Sequence, residues 1–140
     1  KKAFEKFFLP DTISTDLHRL SVDYPVVDMP TTMSKFLHLG MSLEEVILKS
    51  TLNPAGAVGR EEDIGTLRPG SVADVLVFDV VEGEFPLEDS RGRIEPASRR
   101  ITPKLVVRAG EVIEPGSRAV NHREPCPWDD EFHDLIKKRG

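Results

Sequence analysis

Ile64-Gly65-Thr66-Leu67-Arg68-Pro69-Gly70-Ser71-Val72-Ala73-Asp74-Val75-Leu76-Val77-Phe78 is the stretch on which the reading of the fold turns. Pro69-Gly70 is a strong turn signal. The apolar run at 75–78 follows it and predicts a strand over 73–81, buried on both faces or nearly so. Upstream of Ile64 the apolar residues recur at helical spacing; downstream they come in strand-length runs. Asp74, at the strand entrance after Ala73, reads as a structural side chain bonded to nearby backbone.

Working back from that stretch, Asn53-Pro54 predicts a short helix over 54–58, with Asn53 as cap, Pro54 at its first position and Gly59 ending it. Ser42-Leu43-Glu44-Glu45 has capping-box spacing and opens a helix over 42–52 that buries Leu43, Val46 and Ile47. Met33, Phe36 and Leu37 give a helical face over 31–39 that stops at Gly40. Tyr24-Pro25 and Met29-Pro30 read as a loop, because each proline biases its predecessor away from the α region. Residues 11–16 read as a short strand entered from Leu9-Pro10. Ala3, Phe4, Phe7 and Phe8 share one helical face that no capping residue precedes. It is either a frayed first turn or a helix entered partway along.

Working forward, residues 82–103 are polar, and Glu84-Phe85-Pro86 and Ile94-Glu95-Pro96 break the regularity. Leu105-Val106-Val107 and Val112-Ile113 then flank Arg108-Ala109-Gly110-Glu111, which predicts a hairpin over 104–114 with glycine at its turn. After a Pro-rich loop around Pro125-Cys126-Pro127, the residues Trp128, Phe132, Leu135 and Ile136 form the apolar face of a docking helix. Its acidic first turn and basic last turn suit the helix dipole.

The chain has 140 residues, 39% of them hydrophobic and 31% charged. It can bury a core, but a modest one. Nineteen Lys plus Arg against 24 Asp plus Glu gives −5, which argues against nucleic-acid and anionic-membrane binding. No run approaches the ~18 apolar residues of a membrane span, and no signal-peptide pattern stands at the start. The single cysteine, Cys126, cannot form an internal disulfide, so a cytoplasmic setting is expected.

Two segments together resemble the metal-dependent amidohydrolase superfamily, in its dihydroorotase-like branch of deacylases and deacetylases. The first is Leu9-Pro10-Asp11-Thr12-Ile13-Ser14-Thr15-Asp16-Leu17-His18, followed by Pro30-Thr31-Thr32-Met33-Ser34-Lys35-Phe36. The second runs from Thr51-Leu52-Asn53-Pro54-Ala55 through Ile64-Gly65-Thr66-Leu67 to Ala73-Asp74-Val75-Leu76-Val77-Phe78-Asp79. The resemblance covers residues 3–113. It implies an α+β piece: the last β/α unit of a (β/α)8 barrel followed by part of a small β-sandwich, with the active site at the C-terminal ends of the barrel strands. The expected parts are a barrel remnant over 1–60, a sandwich portion over 61–116 and a tail with its docking helix over 117–140.

In this family the eighth strand ends in an aspartate, which maps onto Asp16. The resemblance makes Asp16 a metal ligand and the group that carries a proton from the attacking water to the leaving group. A bound Zn²⁺ makes such water acidic near neutral pH, and a neighbouring carboxylate can take its proton and return it. From its spacing alone, Asp16 reads as a strand-end carboxylate capping the next segment, and it is the resemblance that reverses this. His18, two residues on, would face the same side of an extended backbone. It is either a substrate-facing residue or a loop histidine bonded to backbone. His38 falls in the turn before Gly40 and is expected at the surface. His122, Cys126 and His133 match no common zinc spacing.

The chain departs from the family in its metal ligands. The first-strand His-x-His is absent, as are the segments that would supply the bridging lysine and the later histidines. A binuclear zinc centre therefore belongs only to the complete enzyme, and none is expected in the isolated chain. The leading reading is the C-terminal part of a hydrolase acting on a small amide, cyclic amide or acyl ester. The alternative is a non-catalytic interaction or scaffold module derived from that fold. Losing barrel neighbours also leaves a strand edge and apolar faces open, so a homo-oligomer, or pairing with the missing N-terminal part, is expected.

Overall fold

The computed structural model describes residues 1–6, 8–18, 28–89 and 91–113. Among these described residues a 3-10 turn at Phe4–Lys6 is followed by three helices, α1 (Met29–His38), α2 (Leu43–Ser50) and α3 (Leu52–Ala57). A meander follows, β1 (Val75–Glu88), β2 (Ile94–Arg108) and β3 (Glu111–Ile113), forming one antiparallel sheet in the order β1-β2-β3.

α1 begins earlier than expected. Asp28 caps it, its carboxylate accepting from the Thr31 N–H at 2.7 Å. Pro30 lies in the first turn, where its missing N–H would have had no helical partner. The helix closes in a Schellman arrangement: Gly40 has φ +102°, its N–H reaches the Leu37 carbonyl and the Met41 N–H reaches that of Phe36. The capping box at Ser42 and Glu45 forms in both directions, at 3.2 and 2.9 Å. Asn53 does not cap α3, which starts from Thr51 without a side-chain cap.

The β section is larger than the sequence pattern suggests. Residues of the 82–103 stretch continue β1 and β2, with Pro86 opposite Pro96 in the ladder. Such a pair can sit where both N–H positions face away from the partner strand, so neither proline breaks a ladder bond. Irregularity is confined to register shifts at Val77/Phe78 and Glu82/Phe85. At the expected β2–β3 hairpin, Ala109 and Gly110 both have positive φ, as a two-residue primed turn requires. Asp74 steadies that turn, accepting from the Ala109 N–H at 2.7 Å.

One sheet face and the helices share the core: Ile13, Met33, Leu37, Met41, Val46 and Ile101 are buried, with Phe78 and Val80 packed against them. Ser34, fully buried on α1, donates to the Pro30 carbonyl and accepts from the Ile101 N–H at 3.0 Å. β3 does not reach Ile101. The helix thus satisfies a β2 edge group that has no strand beside it. The other sheet face is open: Val77 is 47% exposed and Val112 68%. The apolar run at 75–78 is therefore only half-buried, with Phe78 packed on the core and Val77 exposed, because among the described residues nothing covers the second face.

Gly65 explains part of the fold-deciding stretch. Its φ is +78°, and an added Cβ would lie 2.7 Å from the Thr51 carbonyl oxygen and 2.9 Å from the Ala55 Cβ. We expect Gly65→Ala to lower stability by about 1–3 kcal/mol through overpacking against backbone that cannot swing aside. A urea midpoint equal to that of the parent would contradict this.

Candidate functional site

The segment carrying Asp16 is not a strand in this chain. A strand needs a neighbour for its ladder bonds, and among the described residues none pairs with 11–16. It is held instead from the side of α2 and α3. The Ile13 N–H donates to the Lys49 carbonyl at 2.7 Å. Lys49 Nζ donates to the Pro10 carbonyl at 2.7 Å, and Asn53 Nδ2 to the Asp11 carbonyl at 2.8 Å. The buried Ile13 side chain anchors the same segment in the core.

Three residues beyond that anchor, Asp16 has φ +49°, a left-handed conformation that aspartate tolerates better than most residues. The hydroxyl of Thr15 supports the turn by accepting from the Leu17 N–H at 3.1 Å. Asp16 and His18 are both exposed, and both have interaction partners. The positive φ corrects one expectation. The chain turns at Asp16, so alternation along an extended backbone does not place His18 on the same side.

Among the described residues, no group of three or more His, Cys, Asp or Glu side chains could hold a metal ion. Asp16 and His18 alone do not make a metal centre, so the residues present do not fit one by themselves. His122, Cys126 and His133 lie outside the described residues, as does the C-terminal docking helix.

Two clefts among the described residues have linings that lie away from Asp16 and His18. One, of about 510 Å³, lies beside the held segment and is lined by Asp11, Thr12, Asn53 and Glu61 among others. The other, of about 250 Å³, lies between α1 and the β1–β2 tip, floored by Leu39 and Leu87. There Glu95 accepts from Lys1 at 2.8 Å and pairs with His38 at 3.2 Å. His38, expected at the surface, is instead partly buried in this ion-paired staple. Sequence spacing cannot find such a pair, since 57 positions separate its members.

The hydrogen bond from Lys1, and then that from His38, holds the Glu95 carboxyl at about 2, below its ordinary 4.5. A carboxyl depressed on folding contributes stability that is present above the unfolded value and lost as pH falls through the folded one. Glu95→Gln should therefore match the parent near pH 2 and fall below it as pH rises through 4.5. Urea midpoints measured across that range check this; parallel curves would count against it.

Residues 1–113 match the model of the amidohydrolase family. The chain belongs to that family. A deacetylase of Brucella anthropi is 39% identical to this chain over 111 residues, which are 79% of this chain and 27% of that protein. A solved dihydroorotase superposes with a TM-score of 0.70 at 38% identity, covering 80% of this chain and 29% of its own. A solved adenine deaminase does so with 0.73 at 32%, covering 80% and 30%. The chain thus spans a little over a quarter of the length of that deacetylase. Its described residues form a small α+β unit with a three-stranded antiparallel sheet.

Lys49 and Asn53 are the residues near Asp16 that the sequence pattern misses. Asn53 stands in a cap-and-proline motif, which hides its side-chain bond to Asp11, 42 positions away.

Proposed function

We propose that this chain is the C-terminal part of a metal-dependent hydrolase of a small amide, cyclic amide or acyl ester, with deacylation the favoured chemistry. In that reading residues 1–60 are the last β/α unit of the barrel, 61–116 part of the flanking β-sandwich, and 117–140 a tail. The observation that carries it is the family match over residues 1–113, a range that contains Asp16, together with 39% identity to a deacetylase over 111 residues. Asp16 is the carboxylate that takes the proton of the attacking water and passes it to the departing nitrogen or oxygen. His18, two residues beyond the Asp16 turn, is the candidate substrate-binding side chain. Zinc ligands beyond Asp16 come from other segments of the complete enzyme, so the isolated chain neither retains zinc nor turns over acyl substrates.

The test is a chimera in which residues 1–113 replace the matching segment of the Brucella anthropi deacetylase. Hydrolysis of an acetylated substrate by the chimera, and none by the isolated chain, is the expected pair of results. A folded but inactive chimera would favour the non-catalytic module. Stoichiometric zinc in the dialysed isolated chain, with an Asp16-dependent activity, would overturn the incompleteness of its site. For the isolated chain we also expect a mass that rises with concentration, because among the described residues β1 is an edge strand and the outer sheet face is uncovered. Light scattering across a tenfold dilution that reads a constant monomer would refute that.

A further inference from the structure

The held segment 10–13 is organised in an unusual way for a piece of barrel strand. Its backbone carbonyls at Pro10 and Asp11 are taken by side chains, those of Lys49 and Asn53, rather than by strand N–H groups. The Ile13 N–H returns a bond to the Lys49 carbonyl, so one residue of α2 both donates to and accepts from the segment. Three charge-assisted or neutral hydrogen bonds and one buried side chain fix a four-residue backbone. Between that held backbone and Asp16 lie Ser14 and Thr15. The Thr15 hydroxyl then locks the Asp16 turn through the Leu17 N–H.

We propose that Lys49 and Asn53 are positioning residues for the Asp16 carboxylate. They act through the backbone, setting where the Asp16 turn begins, and touch no reacting atom themselves. This rests on the reading of Asp16 given above. It extends that reading in assigning a catalytic consequence to two side chains of the helical layer behind the segment. It also gives the Asn53-Pro54 pair a reason other than capping: Pro54 holds the first turn of α3 while the Asn53 amide remains available to Asp11. A displacement of about 1 Å at a reacting group costs up to ~100-fold in rate, so a clamp of this kind matters out of proportion to its bonds.

The first arm of the test uses the whole 140-residue chain. Hydrogen exchange at the Ile13 and Leu17 amides is compared among the parent, Asn53→Ala, Asn53→Asp, Lys49→Met and Lys49→Arg. Asn53→Asp preserves volume and removes the donor, so it decides the matter if Asn53→Ala does not fold. Loss of one hydrogen bond predicts about tenfold faster exchange at both amides. Protection at Ile101, in the sheet, should be unchanged, and Lys49→Arg should restore the parent rates. Unchanged exchange at both amides overturns the proposal. So does faster exchange at Ile13 with Leu17 unmoved, because the clamp would then stop short of Asp16.

The second arm uses the deacetylase chimera. Asn53→Ala and Lys49→Met should lower kcat about tenfold with KM held, and Lys49→Arg should recover it. Equal losses in folded fraction and activity, with kcat per folded molecule unchanged, would reduce the clamp to a stability element and overturn the proposal. An inactive chimera would speak against the hydrolase reading, while the exchange rates at Ile13 and Leu17 would still decide whether the clamp reaches Asp16.

Discussion

Ile101→Ala should destabilise the chain by about 2–5 kcal/mol, the range for truncating a buried isoleucine to alanine. Ile101 is 1% exposed and sits where three parts of the molecule meet. It lies opposite Val80 in the ladder, it shares the core with Met33 and Leu37 of α1, and its N–H is bonded to Ser34. The substitution leaves that backbone bond in place, so the loss reports packing alone. Domains of ordinary stability have only ~5–15 kcal/mol to lose, and this one has a modest core. The expected result is a large fall in urea midpoint with the slope unchanged. Val81→Ala, on the outer sheet face at 38% exposed, is the control and should move the midpoint little. Equal shifts for the two would mean that the core is not centred on the α1–β2 contact.

Ile101 also shows where the sequence is legible and where it is not. It lies inside the polar 82–103 stretch, where one apolar residue in a run of charges carries no periodic signal. Its burial depends on α1 crossing β2, a contact made 67 positions away through Ser34. Features set within a few residues are readable: the Ser42 box, the Gly40 stop and the Ala109-Gly110 turn. Those motifs work because a short side chain or a positive φ must be supplied locally. Pro86 and Pro96 mislead for the same reason. Each, taken singly, reads as a strand breaker, and only the register that sets them opposite one another makes them harmless.

The candidate site divides along the same line. Asp16 is singled out by resemblance, on the short stretch that ends in Thr15-Asp16-Leu17-His18. The expected strand under it requires barrel neighbours, and among the described residues none is there to pair. What replaces them, the bonds from Lys49 and Asn53, spans 39 and 42 positions. Asn53 is already accounted for as an expected cap and Lys49 lies within the expected helix over 42–52, so no local pattern points to either bond. The His38–Glu95 pair escapes likewise, because a histidine before a helix-ending glycine reads as solvent-facing until the β1–β2 tip folds over it.

Asp16→Asn in the deacetylase chimera should lower kcat about 10²–10⁴-fold, the usual contribution of a positioned acid–base group. Asparagine keeps the size and planarity of the side chain, and it tolerates the left-handed backbone that Asp16 adopts at φ +49°. The turn closed by Thr15 and Leu17 should therefore survive, with circular dichroism and exchange at Leu17 unchanged. What is lost is the ability to take a proton from the attacking water and return it to the leaving group, since a carboxamide is no base. Substrate recognition does not require that exchange, so KM should stay near the parent value while kcat falls. A structural aspartate predicts a different pattern. Were Asp16 only a cap for the following segment, asparagine would replace it with little penalty, since the two rank together at caps. An active chimera whose Asp16→Asn variant retains kcat within about tenfold of the parent would thus remove Asp16 from the chemistry. It would leave the turn as a purely structural feature of the segment.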